Sequence, residues 1–226
     1  MGRLESGLKT LRASTIGFPC DRHLWYSAEG YEPLHDAKTL RIFDVGTALE
    51  PMVIRWLENE GWEIVCYNQG SQDADIEHVI EVSGGEIRGH FDAIISRPGI
   101  GTILIDVKTM NDRSFSHWKR LGTEEKSPQY LDQLHVYGYA AIIAGLSFDR
   151  LGIVALNKND SDLEIELIDY SIERMVEIQT RAERIFHLSE PPSPGPRLMK
   201  WSCRYCSYRY VCDVSENEIQ NLSNTM

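Results

Sequence analysis

The chain has 226 residues, of which 42% are hydrophobic and 25% charged, an ordinary globular composition that fits one large domain. Its formal net charge of −11 argues against a protein that coats nucleic acid by bulk electrostatics, although a local basic track remains compatible with that charge. No apolar run approaches the length of a membrane span and the first residues lack the apolar core of a signal peptide, so we expect a cytoplasmic protein.

The predicted elements alternate helices with groups of short strands. Apolar residues at helical spacing predict helices over residues 38–60, 129–144 and 172–188, the last capped by Ser171, and a short helix or loop over residues 111–121. Strands are predicted over residues 62–67, 76–82, 86–96, 102–108, 151–156 and 163–170. Glycine pairs and a Pro-Gly turn separate strands 76–82, 86–96 and 102–108, which indicates an antiparallel meander.

This order of elements predicts an α/β fold in which helices flank one mixed sheet. We find no internal repeat. The proline-rich segment 190–196 is expected to run extended and to deliver the tail to a surface of the same domain.

Two acids and a lysine close successive strands of this pattern. One motif, Gly-His-Phe-Asp, ends at Asp92, and the next strand ends in Asp-Val-Lys, from Asp106 to Lys108. Because alternate side chains of a strand share a face, Asp106 should lie beside Lys108, and His90 beside Asp92. If the strands pair, the carboxylates converge and can bind Mg²⁺ or Mn²⁺, while the lysine orients or deprotonates a water or neutralises a phosphate. That is equipment for cutting a phosphodiester; the alternative is a solvated strand end.

Two helical motifs extend this constellation. Glu50 follows Gly46 by four residues on the first helix, and a glycine there would allow close approach to the sheet, so that Glu50 supplies a third carboxylate. Gln133 and Tyr137 share a helix face, where Gln133 can bind a phosphate or base and Tyr137 can pack beneath it or stack on a base. The alternatives are an exposed glutamate and a tyrosine at the edge of the core.

Two groups of basic residues offer a local track for nucleic acid: Arg113, Lys119, Arg120 and Lys126, and then Arg197, Lys200, Arg204 and Arg209. Scattered charges on a solvated face are the alternative. The aromatic, basic run 201–210 can guide a single strand or cover a metal centre.

The five cysteines argue against a disulfide framework, because their number is odd and the expected compartment is reducing. Cys203, Cys206 and Cys212 form a compact triplet whose thiolates can bind one metal centre. Cys20, in an irregular segment, is the best candidate for the fourth ligand, whereas Cys66 lies in a predicted strand and resembles a small buried hydrophobe. Spacing does not separate Zn²⁺ from an iron–sulfur cluster.

In combination, these motifs resemble the RecB-type branch of the PD-(D/E)XK nucleases, and most closely the iron–sulfur exonucleases of the CRISPR-associated Cas-four family. The resemblance covers residues 17–213, and it rests on the order of the short motifs more than on any one of them. It implies metal-dependent cleavage of DNA, usually at single-stranded ends, by a single nuclease domain over residues 1–226. Residues 15–35 and 190–214 would join into an iron–sulfur lobe.

The resemblance also implies roles for individual residues. Asp92 and Asp106 would bind the divalent metal with the Val107 carbonyl, Lys108 would position the attacking water, and Gln133 and Tyr137 would lie beside the site. Glu50 and His90 are further candidate metal ligands, although many RecB-type members have a histidine where this chain has Glu50. The four ligands of a 4Fe–4S cluster, or of Zn²⁺ as the alternative, would be Cys20, Cys203, Cys206 and Cys212.

The expected partners are DNA and proteins of CRISPR adaptation, phage recombination or DNA repair. No membrane involvement is expected. The rival interpretations are a metal-stapled module of the same fold that binds DNA or a protein without cutting, and a zinc protein whose site is purely structural.

Overall fold

A computed structural model describes residues 8–67, 78–194 and 200–212. In this part of the chain eight strands form two sheets. The strands are β1 (Lys9–Arg12), β2 (Glu63–Tyr67), β3 (His78–Val82), β4 (Gly85–Gly89), β5 (Ala93–Arg97), β6 (Gly101–Met110), β7 (Arg150–Asn157) and β8 (Leu163–Ile168).

The larger sheet has the order β2-β5-β6-β7-β8 and is mixed, because β6 and β7 pair in parallel while its other neighbours are antiparallel. The smaller sheet has the order β1-β4-β3, with β1 parallel and β3 antiparallel to β4. The mixed, helix-flanked α/β architecture expected from the sequence is therefore confirmed, but as two sheets where the sequence predicted one.

The described residues also contain seven helices. They are α1 (Ala13–Ile16), α2 (Asp21–Ala28), α3 (Ala37–Asn59), α4 (Asp112–Lys126), α5 (Pro128–Ile143), α6 (Ile172–Phe186) and α7 (Lys200–Arg204). Side chains of Asp36, Asn111 and the predicted Ser171 cap α3, α4 and α6 by accepting from backbone amides. None of the described helices combines the length and hydrophobicity that crossing a bilayer requires.

The strand β6 separates the two parts of the core. Its Leu104 belongs to the cluster that packs under α5, whereas Ile103 and Ile105 belong to the cluster between the sheet and α3. Because side chains alternate along a strand, Asp106 and Lys108 continue the face of Leu104 and point toward α5. The fold thus directs both polar residues of β6 to one side of the sheet.

The predicted strand 86–96 is wrong as a single element, and so is the antiparallel meander built on it. The chain leaves β4 after Gly89 and passes through His90, Phe91 and Asp92 before β5 begins in the other sheet. Phe91 is buried at this crossing, with its ring stacked 4.9 Å from that of His78. Residues 90–92 thus connect β4 of the smaller sheet to β5 of the larger sheet.

The remaining predicted elements agree with the structure within a few residues, and the uncertain segment 111–121 is the helix α4. The elements β1, α1, α2 and α7 were not predicted. The described part of the proline-rich segment lies on the start of α2, where the Pro194 carbonyl accepts from the Asp21 amide at 2.9 Å. Residues 76–77 of a predicted strand and residues 195–196 of that segment lie outside the described residues.

Candidate active site

The two predicted acids converge where β5 meets β6. The antiparallel register pairs Ala93 with Ile105, so that Asp92 and Asp106 stand opposite each other one residue further along. Asp92 Oδ2 accepts a hydrogen bond from the Val107 amide at 2.6 Å, which fixes this carboxylate to the backbone of β6. The expected convergence of the two carboxylates at one sheet edge is therefore present.

Lys108 is held from three sides. Its Nζ lies 2.7 Å from Asp106 Oδ2, donates to Gln133 Oε1 at 3.0 Å and sits 4.8 Å from the centroid of the Tyr130 ring. Tyr130 was not among the candidate residues, because its place beside Lys108 depends on how α5 packs on β6. These three contacts hold the ammonium group of Lys108 beside Asp106.

Gln133 joins the lysine to the acid and to Tyr137. Its Nε2 donates to the Tyr137 hydroxyl at 2.8 Å and approaches Asp106 Oδ1 at 3.4 Å. Both α5 residues are only 5% exposed, so stacking of Tyr137 on a base, one of the expected roles, is wrong for this arrangement. Tyr137 instead packs beneath Gln133, which was the other expectation.

Glu50 faces the same site from α3. Its side chain is half-buried, and its pKa is raised first by burial and then by the negative charge of Asp106, while Lys108 opposes the rise. Gly46 lies against β6, but a Cβ there would meet only Thr109 Oγ1 at an ordinary 3.7 Å. Gly46 is thus compatible with the approach of α3 to the sheet, but an alanine would also fit at this position.

The acids of the site raise one another's proton affinity. The pKa of Asp92 lies well above its usual value, because the side chain is buried and then because Asp106 and Glu50 carry like charge. Burial also raises the pKa of Asp106, against the effect of Lys108. Burial alone would lower the pKa of Lys108, but the neighbouring acids raise it, so the ammonium form is favoured. The role of Lys108 toward water or phosphate stays a prediction.

The donor set fits a hard divalent cation. Within the described ranges no three His, Cys, Asp or Glu side chains already stand in an arrangement that would hold a metal ion. However, Asp106 Oδ2 is buried without a well-directed hydrogen bond, although Lys108 Nζ lies 2.7 Å away as its ion-pair partner. A buried carboxylate oxygen in this position, beside two further acids of raised pKa, is what a bound cation would satisfy. Asp92, Asp106 and Glu50 would hold it, and the Val107 carbonyl as a further ligand stays a prediction.

His90 lies at the crossing between β4 and β5, not in a strand, so the face it was expected to share with Asp92 does not exist. It stands near His78, whose pKa is lowered by burial and then by the charge of His90. Its role as a metal ligand stays a prediction.

Four of the five cysteines line one small cavity between α2 and the tail: Cys20, Cys203, Cys206 and Cys212. Burial raises the pKa of Cys206 to about 11, and the charges of the other three thiols add to the rise. Cys66 lies elsewhere, in β2 opposite Ile94. The expected grouping is present, while the ligand role of the thiols stays a prediction.

The two chain segments around this cavity are tied by backbone contacts. The Leu34 amide donates to the Ser207 carbonyl at 3.0 Å, and the Tyr26 hydroxyl donates to the Val211 carbonyl at 3.0 Å. His23, which sequence reasoning missed, lies with Nδ1 3.4 Å from Cys206 Sγ and has a pKa lowered to about 3 by burial. The described parts of segments 15–35 and 190–214 therefore contact each other around the four thiols, and we call them the cysteine lobe; an iron–sulfur lobe stays a prediction.

The expected basic track is only partly available. Lys119 pairs with Glu164, and Arg209 lines the cysteine cavity. Arg113, Arg120 and Lys126 are exposed on or at the end of α4, and the guanidinium of Arg204 lies 5.7 Å from the ring of Tyr205. Arg197 and the side chain of Lys200 lie outside the described part of the structure.

Comparison with known proteins gives a consistent result. The family described as the PD-(D/E)XK nuclease superfamily matches residues 44–213. Among solved structures, SSO0001 is 19% identical, with a TM-score of 0.55 over 93% of this chain and 88% of that chain. LHK-Exo in complex with dAMP is 18% identical, with a TM-score of 0.50 over 77% of this chain and 85% of that chain. Such low identities show a shared fold alone. No curated protein sequence matches the chain.

Proposed function

The chain belongs to the PD-(D/E)XK nuclease superfamily, and on that premise we propose that it is a metal-dependent deoxyribonuclease that degrades DNA from single-stranded ends. The observation that carries the proposal is that Asp92, which directly precedes β5, lies close to Asp106 and Lys108 on the neighbouring strand β6. The similarity in fold to LHK-Exo, an alkaline exonuclease from Laribacter hongkongensis whose structure holds dAMP, supports DNA as the substrate.

In this proposal each residue has a separate task. A divalent cation, when bound, activates water and stabilises charge in the transition state. Asp92, Asp106 and Glu50 would hold it, and the backbone amide of Val107 keeps Asp92 in position. Protonated Lys108 attracts and orients the scissile phosphate and the water.

Gln133 offers the ammonium group of Lys108 a second acceptor beside Asp106. It is in turn anchored by the buried Tyr137 hydroxyl. The two α5 residues are therefore assigned as positioning residues for the lysine, without direct contact to DNA.

The test is digestion of end-labelled single-stranded and duplex DNA by the purified full-length protein with Mg²⁺, with Mn²⁺ and with a chelator. We expect metal-dependent shortening of the single strand, with mononucleotides or short oligonucleotides as products. A protein that binds DNA but cuts neither substrate with either metal would instead be the binding module described above.

We further propose that the four clustered cysteines hold a 4Fe–4S cluster, with Zn²⁺ as the alternative. Their common cavity and the lobe built around it support this assignment. Anaerobic purification followed by absorbance, iron and sulfide measurements separates the two metals, because the zinc form is colourless. On the resemblance alone, CRISPR adaptation, phage recombination or DNA repair would be the biological setting.

A further inference from the structure

A large cleft opens next to the proposed active site. It has a volume of about 1410 Å³ and lies between the junction of α4 and α5, the helix α6, and the segment that precedes α2. We name it the α5–α6 cleft, and its lining includes Lys126, Tyr130, Val176, Arg184 and Tyr205.

The cleft and the active site share Tyr130. Its ring lines the cleft and also lies 4.8 Å from the ammonium group of Lys108. A polymer whose phosphate is bound by Lys108 would therefore pass close to Tyr130, a residue of the cleft wall. This shared residue connects the cleft to the substrate of the same site.

The charge of the lining differs from that of the whole molecule. The chain carries −11, whereas the cleft is lined by equal numbers of basic and acidic residues: Lys126, Arg174, Arg181 and Arg184 against Asp21, Glu125, Asp132 and Glu177. Ion pairs join Asp21 to Arg181 at 2.7 Å and to Arg184 at 2.6 Å, and Asp132 to Arg174 at 2.8 Å, so that three of the four bases are engaged with two of the four acids. For a polyanion, the cleft is thus a less repulsive path than the average surface.

Exposed flat and apolar side chains line the same cleft. Tyr205, in the lobe that carries the cysteines, is 70% exposed, and the guanidinium of Arg204 lies 5.7 Å from its ring. Val176 on α6 is 52% exposed. Aromatic rings backed by arginine are platforms on which bases of any sequence stack, and such stacking is available only to unpaired bases.

We propose that the α5–α6 cleft holds an extended single strand of the DNA substrate, which runs from Tyr130 at the active site to Tyr205 at the cysteine lobe. This assignment rests on the proposed nuclease function, since it describes the substrate path of the same site. A single strand is favoured over a duplex, because the platforms need unstacked bases and a neutral lining attracts a duplex backbone only weakly.

Charge substitutions on α6 test the path with a matched control. Val176 lines the cleft, whereas Ile172, one turn earlier and 50% exposed, does not. Binding is measured by fluorescence anisotropy without divalent metal, on the full-length Asp106→Asn protein, with an oligothymidine of about 12 nucleotides and a blunt hairpin duplex as probes. We expect Val176→Asp to weaken binding of the oligothymidine about tenfold and Val176→Lys to strengthen it, while Ile172→Asp and Ile172→Lys leave it unchanged.

A stacking variant gives a second, independent reading. Tyr205→Ala should weaken oligothymidine binding roughly tenfold and the duplex hardly at all, since stacking contributes about 1–3 kcal/mol per base. Tyr210→Ala is the control, because this tyrosine is exposed in the same lobe but does not line the cleft. Circular dichroism verifies that each variant is folded.

The outcomes separate the cleft from the nuclease function. If DNA is cleaved but Val176→Asp binds the oligothymidine as tightly as Ile172→Asp does, the cleft assignment is overturned and the proposed function stands. Equal weakening of single strand and duplex by Val176→Asp overturns the single-strand assignment. If the wild-type protein neither cleaves nor binds DNA, both the path and the proposed function are wrong.

Discussion

The carboxylate of Asp106 contacts two side chains and stands opposite a second negatively charged carboxylate. Lys108 and Gln133 contact its two oxygens, and the carboxylate of Asp92 faces it across the strand pair. The residue thus links the lysine, the positioning helix and the proposed metal ligands. Its substitution is the most direct test of the site at the scale of single residues.

We predict that Asp106→Asn reduces metal-dependent DNA cleavage by at least about a hundredfold and changes the free energy of unfolding by less than about 2 kcal/mol. The amide preserves the shape of the side chain. The ammonium group of Lys108 still has the negative charge of Asp92 nearby and the side-chain carbonyl of Gln133 as an acceptor. Cleavage rate and urea unfolding are the measurements. A variant as active as the wild type would rule out the catalytic assignment.

The crowded acids also predict a pH dependence of stability. The pKa values of Glu50, Asp92 and Asp106 are raised in the folded metal-free protein, so the folded state holds these protons more tightly than the unfolded chain. Their stabilising contribution is present below about pH 4 and is lost as the pH rises through the raised values. Metal-free protein should therefore be less stable at about pH 8 than at about pH 5, with Mg²⁺ or Mn²⁺ reducing the loss.

Urea unfolding in chelator and in metal measures this effect. Asp92→Asn should show a smaller pH dependence than the wild type, because it removes one of the three competing charges. Identical pH dependence in the variant would show that the acids do not interact as described.

Tyr130 provides a test of how Lys108 is held. An aromatic ring near an ammonium group favours the charged form by about 1 kcal/mol. We predict that Tyr130→Leu moves the basic limb of the kcat profile to lower pH, whereas Tyr130→Phe keeps that limb near its wild-type position because it retains the ring. A shift of equal size in both variants would assign the effect to the hydroxyl group instead.

At the scale of elements, the change from β4 to β5 decides where Asp92 stands. A Cβ at Gly89 would lie 2.7 Å from Ala13 Cβ and 2.8 Å from Tyr137 Cε1, both closer than real contacts allow. The smaller sheet, α1 and α5 therefore meet at a point where a side chain has no room. This packing connects the strand break to the Tyr137 anchor of Gln133.

We predict that Gly89→Ala destabilises the protein by about 1–3 kcal/mol and lowers cleavage, because Tyr137 must move and carries Gln133 with it. Gly46→Ala is the matched control near the same site. It should be neutral or stabilising by up to about 1 kcal/mol, since its Cβ has room and alanine favours the helix. Thermal unfolding and cleavage rates of the two variants test the difference.

Local patterns were sufficient to predict β6 and α5. The alternation from Gly101 to Met110 and the helical spacing of residues 129–144 are strong periodic signals, so Asp106, Lys108, Gln133 and Tyr137 were placed on the correct elements. Cys20 was grouped with the tail triplet by composition and family resemblance, and the structure brings all four to one cavity.

Long-range packing set the features that were missed. Gly89, where β4 ends, lies against Ala13 and Tyr137, which are far away along the chain. An isolated glycine in a strand pattern indicates such a close approach, but it does not identify the partners. The strand β1 is only four residues long and forms by parallel pairing with β4. Tyr130 reaches Lys108 only once α5 has packed on the sheet.

At the scale of the whole molecule, the cysteine lobe brings the segment around Cys20 into contact with the segment that carries Cys203, Cys206 and Cys212. We predict that Cys203→Ser removes the colour of the anaerobically purified protein and lowers its folded yield and melting temperature, since structural metal sites contribute on the order of 10 kcal/mol. In this prediction the metal-bound thiols add to the hydrogen bonds and to the packing of His23 and Tyr26 against Tyr208, which join the same segments.

Cys66→Ser is the control, because Cys66 lies in β2 and does not line the cavity. Its iron content and colour should equal those of the wild type. Loss of colour in Cys66→Ser with retention in Cys203→Ser would reverse the assignment of the ligands.

The distance along the chain between the walls of this cavity also sets an order of events during synthesis. Cys20 leaves the ribosome early, and Cys212 follows after nearly all of the described residues. At translation speeds of about 5–20 residues per second, this interval is on the order of 10–40 s. Both strands that carry Asp92 and Asp106 emerge within it. The acid pair can therefore assemble while Cys20 still waits for its partners, and any metal at the cysteines is acquired as a late step in the maturation of the nascent protein.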